Sequence, residues 1–121
     1  MFIAIDNESS EPVYRQIVQA VKQRMAEGEL VCGDELPPVR TLADALGVNL
    51  HTVRHAYQTL EAEGIAVTRL GRRAKIVFRK NGLTVRLREK LLAAWRELEI
   101  EAALNGIDKA ELLKLIGENN A

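Results

Sequence analysis

A single cysteine, Cys32, among 121 residues excludes an intrachain disulfide and cannot supply a multi-cysteine zinc site. It reads as a small, partly buried thiol in a turn. No stretch of about 18 apolar residues is available to cross a bilayer, and the opening MFIAIDNESSEP lacks the basic start and long apolar run of a secretory leader. The expectation is a cytoplasmic chain with no membrane partner. Net charge is missing as well, since 17 Lys and Arg balance 17 Asp and Glu. The length suffices for one ordinary core of about 70 to 80 residues plus an appendage, which leaves no room for a large catalytic fold. Neither a glycine-rich phosphate loop nor a His, Asp and Glu cluster at metal-ligand spacing occurs, apart from His51 and His55 at i and i+4. No third ligand for that pair is evident. The expectation is therefore no enzyme, no metal and no cofactor.

What the chain does have is an uneven placement of charge. From Leu36 to Lys80 the basic residues Arg40, Arg54, Arg69, Arg72, Arg73, Lys75, Arg79 and Lys80 meet only Asp44, Glu61 and Glu63, eight against three. The acidic excess lies in the N-terminal stretch and slightly in the tail. A neutral molecule can thus turn a basic face outward from its middle.

Apolar spacing supplies the elements. Val13, Ile17, Val21 and Met25 recur every four residues, with Ser10 as the expected cap, Pro12 in the first turn and Gly28 as the stop. GELVCGDELPPVR reads as a connector, and Pro38 suits the start of a short helix with Val39, Leu42, Ala43 and Leu46 on its buried side and Gly47 at its end. Asn49 is the expected cap of a helix running to about Glu63 and closed by Gly64. Two helices joined by so short a turn form a helix-turn-helix. IAVTRL and AKIVFR, broken at Gly71-Arg72-Arg73, read as a β-hairpin. Asn81-Gly82 separates a tail with an apolar side at Leu87, Leu91, Ala94, Trp95, Leu98 and Ala102, on a helix from about Leu83 to Leu104. Asp108 with Glu111 forms a capping box, and Ile107 with Leu112 a hydrophobic staple, for a last helix through Ile116 that Gly117 can end.

The expected fold is mainly α with a small β-hairpin: a winged helix-turn-helix domain over residues 1–80, followed by two C-terminal helices over 81–121. Helices of this size enclose no core alone. Homodimerisation through Leu87, Leu91, Trp95, Leu98, Leu112, Leu113 and Ile116 is the economical answer, and folding back on the winged domain is the alternative.

The second helix of the motif carries the functional argument. Its buried side is Val53, Ala56, Tyr57 and Leu60, while His51, Arg54, His55 and Gln58 turn outward, with Asn49 and Thr52 at the same end. In helix-turn-helix docking that end enters the major groove, where base edges accept and donate hydrogen bonds.

PVYRQIVQAVKQRMAEGELVCGDELPPVRTLADALGVNLHTVRHAYQTLEAEG resembles the N-terminal domain of the GntR family of bacterial transcription regulators, over residues 12 to about 78. The matching pieces are Pro12 with Tyr14, Gly28-Glu29-Leu30, Gly33-Asp34 with Leu36-Pro37, Arg40 with Leu42-Ala43, Leu46-Gly47-Val48, Thr52-Val53-Arg54, and Leu60-Glu61 with Gly64. The short tail, ending in NGIDKAELLKLI, is similar to the YtrA-like subfamily, in which two dimerising helices replace a large effector domain. The resemblance implies that Arg40 bonds a phosphate or reaches a guanine edge, that Thr52 holds the backbone, and that Arg54 contacts phosphate or base. Arg69, Gly71 and Arg72 match the family's Arg-x-Gly-Arg wing, where glycine allows close approach to the minor groove and arginine exploits its potential.

Three places depart from the family pattern. Pro38 stands where serine is common, Leu50 and His51 replace residues often Arg or Pro and Thr or Asn, and the wing reads Gly71-Arg72-Arg73-Ala74 instead of Gly-Arg-Gly-Thr. Arg73 then adds phosphate attraction without sharper readout. The sequence thus predicts a repressor that binds a palindromic double-stranded DNA operator as a homodimer. A winged-helix protein-interaction module is the alternative, with Leu50 as its only apolar anchor on the recognition helix. An unknown small-molecule effector near Trp95 and Leu91 is left open beside plain burial of Trp95 in a dimer seam.

Overall fold

The computed structural model describes residues 3–69 and 72–119. It contains α1 (Val13–Ala26), α2 (Val39–Leu46), α3 (Leu50–Ala62), β1 (Ala66–Val67), β2 (Lys75–Ile76), α4 (Val85–Leu104) and α5 (Lys109–Asn119). The chain divides into two compact units, residues 1–80 and 81–121.

In the first unit α1 and α2 both pack on α3, and α3 also meets β1. The apolar stripe of α1 does what its spacing requires, with Ile17 and Val21 fully buried, Val18 beside them, and Val13 and Met25 half-buried. Leu42 and Ala43 of α2 and Val53, Ala56, Tyr57 and Leu60 of α3 complete the helical core. Ile3 is only 5% exposed and Ile5 packs beside it, so the N-terminal stretch is part of this core.

Local chemistry sets most element ends. Gly28, at φ +81°, turns the chain out of α1 while the Glu29 and Leu30 amides donate to the Arg24 carbonyl. Gly47, at φ +66°, does the same for α2, and the Val48 amide donates to the Ala43 carbonyl at 3.1 Å. Three residues, 47–49, therefore join α2 to α3. Ser10 does not cap α1. Pro12 is the N-cap, and its carbonyl receives the Arg15 and Gln16 amides. Ser10 lies too far ahead of the first turn to reach them.

The hairpin is shorter than its sequence suggests. Ala66 pairs with Ile76 and Val67 with Lys75, antiparallel. A third segment joins from the connector: Glu35 bridges to Lys75, the Leu36 amide donates to the Ala74 carbonyl at 2.8 Å, and the Ile76 amide donates to the Asp34 carbonyl at 2.8 Å. Gly71, part of the expected break, lies outside the described residues.

In the second unit α4 starts at Val85 and not Leu83, because Thr84 is its N-cap, accepting from the Leu87 amide at 3.1 Å. The chain leaves α4 through Gly106, at φ +76°. Asp108 accepts the Glu111 amide at 2.9 Å and opens α5, which packs against α4. Gly117 does not end α5, which continues to Asn119. A glycine near a helix end weakens the turn without having to leave it. No helix among the described residues is long and apolar enough to cross a membrane.

Candidate nucleic-acid interface

Helix α3 begins on Asn49, whose side-chain oxygen accepts the His51 amide at 2.7 Å. That cap fixes the register of everything beyond it. With Val53, Ala56, Tyr57 and Leu60 inward, the helical period turns His51, Arg54, His55 and Gln58 outward, and all four are exposed. Thr52 is half-buried. The Tyr57 hydroxyl, on the inner side, donates to the Pro37 carbonyl at 2.6 Å and ties α3 to the connector before α2. Burial raises this phenol's pKa well above the tyrosine range.

Three outward residues have specific neighbours. Arg54 Nη1 lies 3.1 Å from His51 Nδ1. A guanidinium can only donate, so Nδ1 accepts and the imidazole proton belongs on Nε2. His51 then offers a donor outward, suited to guanine N7 or O6. The His55 ring stacks on Tyr14 of α1, centroids 3.9 Å apart and planes 19° from parallel. The two imidazoles are thus engaged separately, and among the described residues no group of three or more His, Cys, Asp or Glu could hold a metal ion.

Facing α3 across an open groove of about 550 Å³ is the wing. Arg54, Gln58 and Glu61 of α3 line one side, Thr68, Arg69, Arg72 and Arg73 the other, and Pro37, Pro38, Val39 and Tyr57 contribute apolar surface. The Arg72 amide donates to the Arg69 carbonyl at 2.9 Å, which links the two arginines across the wing. Arg73 is 4.0 Å from the Glu35 carboxylate, an exposed pair of small energetic weight. Arg40 is exposed on the first turn of α2, apart from this lining.

The structure therefore brings Arg54, Gln58, Arg69, Arg72 and Arg73 around one groove, with His51 beside Arg54. Asn49 has its oxygen committed to the cap, and His55 has its ring on α1. Leu50 is half-buried and packed against the core, so it offers no free apolar anchor on this face. Sequence reasoning missed Glu35, Glu61 and Tyr14 as partners of the predicted residues. Glu61 was visible beside Leu60 in the motif, but a charge count gives its sign and not its position.

In the second unit Leu87, Leu91, Leu98, Leu113 and Ile116 are all exposed, Leu91 by 54% and Leu98 by 49%, while Trp95 and Leu112 are half-buried. Helix α4 spans about 30 Å, so this apolar surface is long.

Comparison with known proteins adds four findings. Residues 13–76 match the family described as bacterial regulatory proteins, gntR family. The chain is 37% identical over 125 residues to the HTH-type transcriptional repressor YtrA of Bacillus subtilis (strain 168), covering 98% of this chain and 92% of that protein. Among solved structures, it is similar to YtrA from Sulfolobus acidocaldarius, a GntR-family transcription factor, with 38% identity, a TM-score of 0.66, and coverage of 81% of this chain and 98% of that one. It is also similar to a transcriptional antiterminator from Listeria monocytogenes EGD-e, with 28% identity, a TM-score of 0.84, and coverage of 100% and 91%.

Proposed function

The chain belongs to the gntR family of bacterial regulatory proteins, and from that premise we propose that it is a transcription repressor that binds a palindromic DNA operator as a homodimer. The observation that carries the reading is the groove, with a polar recognition helix on one side and wing arginines on the other. Helix α3 enters the major groove with His51, Arg54 and Gln58 toward base edges, while Arg69, Arg72 and Arg73 meet the adjoining backbone and minor groove. Arg40 and Thr52 bond phosphates at the flank, Asn49 fixes the helix end, and Gly71 completes the wing signature. His55 contributes from beside Tyr14.

Exposed leucines on α4 and α5 support dimerisation, because an apolar surface of this extent is unfavourable in water. Two recognition helices related by a twofold axis would read half-sites about 34 Å apart, or a multiple of that. No catalytic step and no cofactor enter this proposal, and the chain acts in the cytoplasm, where its DNA is.

The test is selection of bound fragments from a random duplex pool, followed by retesting at low and near-physiological salt. An inverted repeat retained at the higher salt is the expected outcome, with Arg54→Ala losing about 1–3 kcal/mol and relaxing preference at one base pair. Binding that vanishes with salt and leaves no consensus would overturn the proposal.

A further inference from the structure

A two-residue ladder is too short to hold a hairpin in one place by itself. The falling limb of the wing has outside support, because the Leu36 amide donates to the Ala74 carbonyl at 2.8 Å and Glu35 bridges to Lys75. The rising limb is held differently. At Thr68, one residue beyond β1, the backbone amide donates to Oε1 of Glu61 at 3.0 Å. Glu61 belongs to the last turn of α3, so the bond runs directly from recognition helix to wing root.

This carboxylate is out of place on electrostatic grounds. It is exposed and shares its groove with Arg54, Arg69, Arg72 and Arg73. A negative charge there opposes a phosphate backbone, so its presence calls for a compensating role. Arg69 follows Thr68 directly, so the Val67–Thr68 peptide that Glu61 fixes lies one peptide before Arg69.

We propose that Glu61 is a positioning residue of the DNA site: its carboxylate holds the wing root at a set distance from α3 and thereby aims Arg69 and Arg72. The inference rests on the DNA-binding reading above. It makes an unusual statement about sign, because removing the charge alone helps binding while removing the hydrogen-bond acceptor harms it.

The experiment uses the full chain with Glu61→Gln and Glu61→Ala. Glutamine keeps a side-chain oxygen for the Thr68 amide and loses the charge; alanine loses both. Hydrogen exchange of the Thr68 amide is followed by NMR in the free protein, and binding is measured on a duplex recovered by selection. With glutamine, the amide stays protected and affinity rises about twofold to threefold as a like charge leaves the phosphates. With alanine, the amide exchanges as a free loop amide does, and affinity falls about tenfold. In an Arg69→Ala, Arg72→Ala background the alanine penalty disappears, since nothing remains to aim. Equal gains in both variants would overturn the proposal and leave Glu61 as a plain charge. So would a Thr68 amide still protected in Glu61→Ala. If the unaltered chain recovers no duplex, the DNA reading fails, and Thr68 exchange alone decides whether Glu61 holds the wing.

Discussion

Tyr57 carries the hydroxyl that joins α3 to the Pro37 carbonyl, and burial keeps its phenol neutral well past the usual tyrosine pKa. In the unfolded chain the same phenol ionises near pH 10. The folded value being the higher one, its contribution is fully present below about pH 10 and is lost as pH rises beyond it, by at most about 1.4 kcal/mol per unit. Tyr57→Phe should lower stability at neutral pH by about 1 kcal/mol and flatten the alkaline loss. Urea unfolding of both proteins at neutral and alkaline pH checks this; parallel curves would assign the alkaline loss to other groups. Outward polarity on α3 was legible in the sequence because it follows from helical period and a single cap. The partners were not, because His51 beside Arg54 is a rotamer outcome and His55 on Tyr14 joins residues 41 positions apart.

Elements follow the same division between local and distant causes. Asn49, Gly47 and Asp108 act within one turn of their own position, so the starts of α3 and α5 and the end of α2 can be read from neighbours alone. Asn49→Ala should cost about 1 kcal/mol of stability through the lost cap. Thermal unfolding measures that cost. If DNA affinity fell while stability stayed the same, the side chain would be contacting DNA and not capping. What the sequence hid is non-local. The segment from Asp34 to Leu36 reads as a proline-bounded connector, yet it pairs with β2, and no spacing in GELVCGDELPPVR announces a partner about 40 residues away. Ile3 escaped notice for the same reason, since a short apolar start gains meaning only from the core it meets.

At the scale of the whole molecule, charge balance conceals a division of labour. The basic excess falls between Leu36 and Lys80, mostly in the hairpin, while exposed leucines gather on α4 and α5, and this partition was legible from the order of residues along the chain. Homodimerisation through Leu87, Leu91, Trp95, Leu98, Leu112, Leu113 and Ile116 stays a proposal, because one sequence contains no second copy to pack against. Leu91→Lys with Leu98→Lys should yield a monomer by sedimentation, without loss of the first unit's fold, since both side chains are exposed. A variant that stays dimeric would place the seam elsewhere. Every fully buried apolar side chain among the described residues lies between Ile3 and Ile76, which has a consequence for cleavage at the Asn81-Gly82 joint. A cut there would leave a folded winged unit with its groove whole, but single. On a dimer, the second half-site is met at a high effective concentration once the first is bound. If the tail dimerises as proposed, severing it would forfeit that avidity, about 10² to 10⁴ in apparent affinity for a paired site, while leaving the grip on one half-site unchanged.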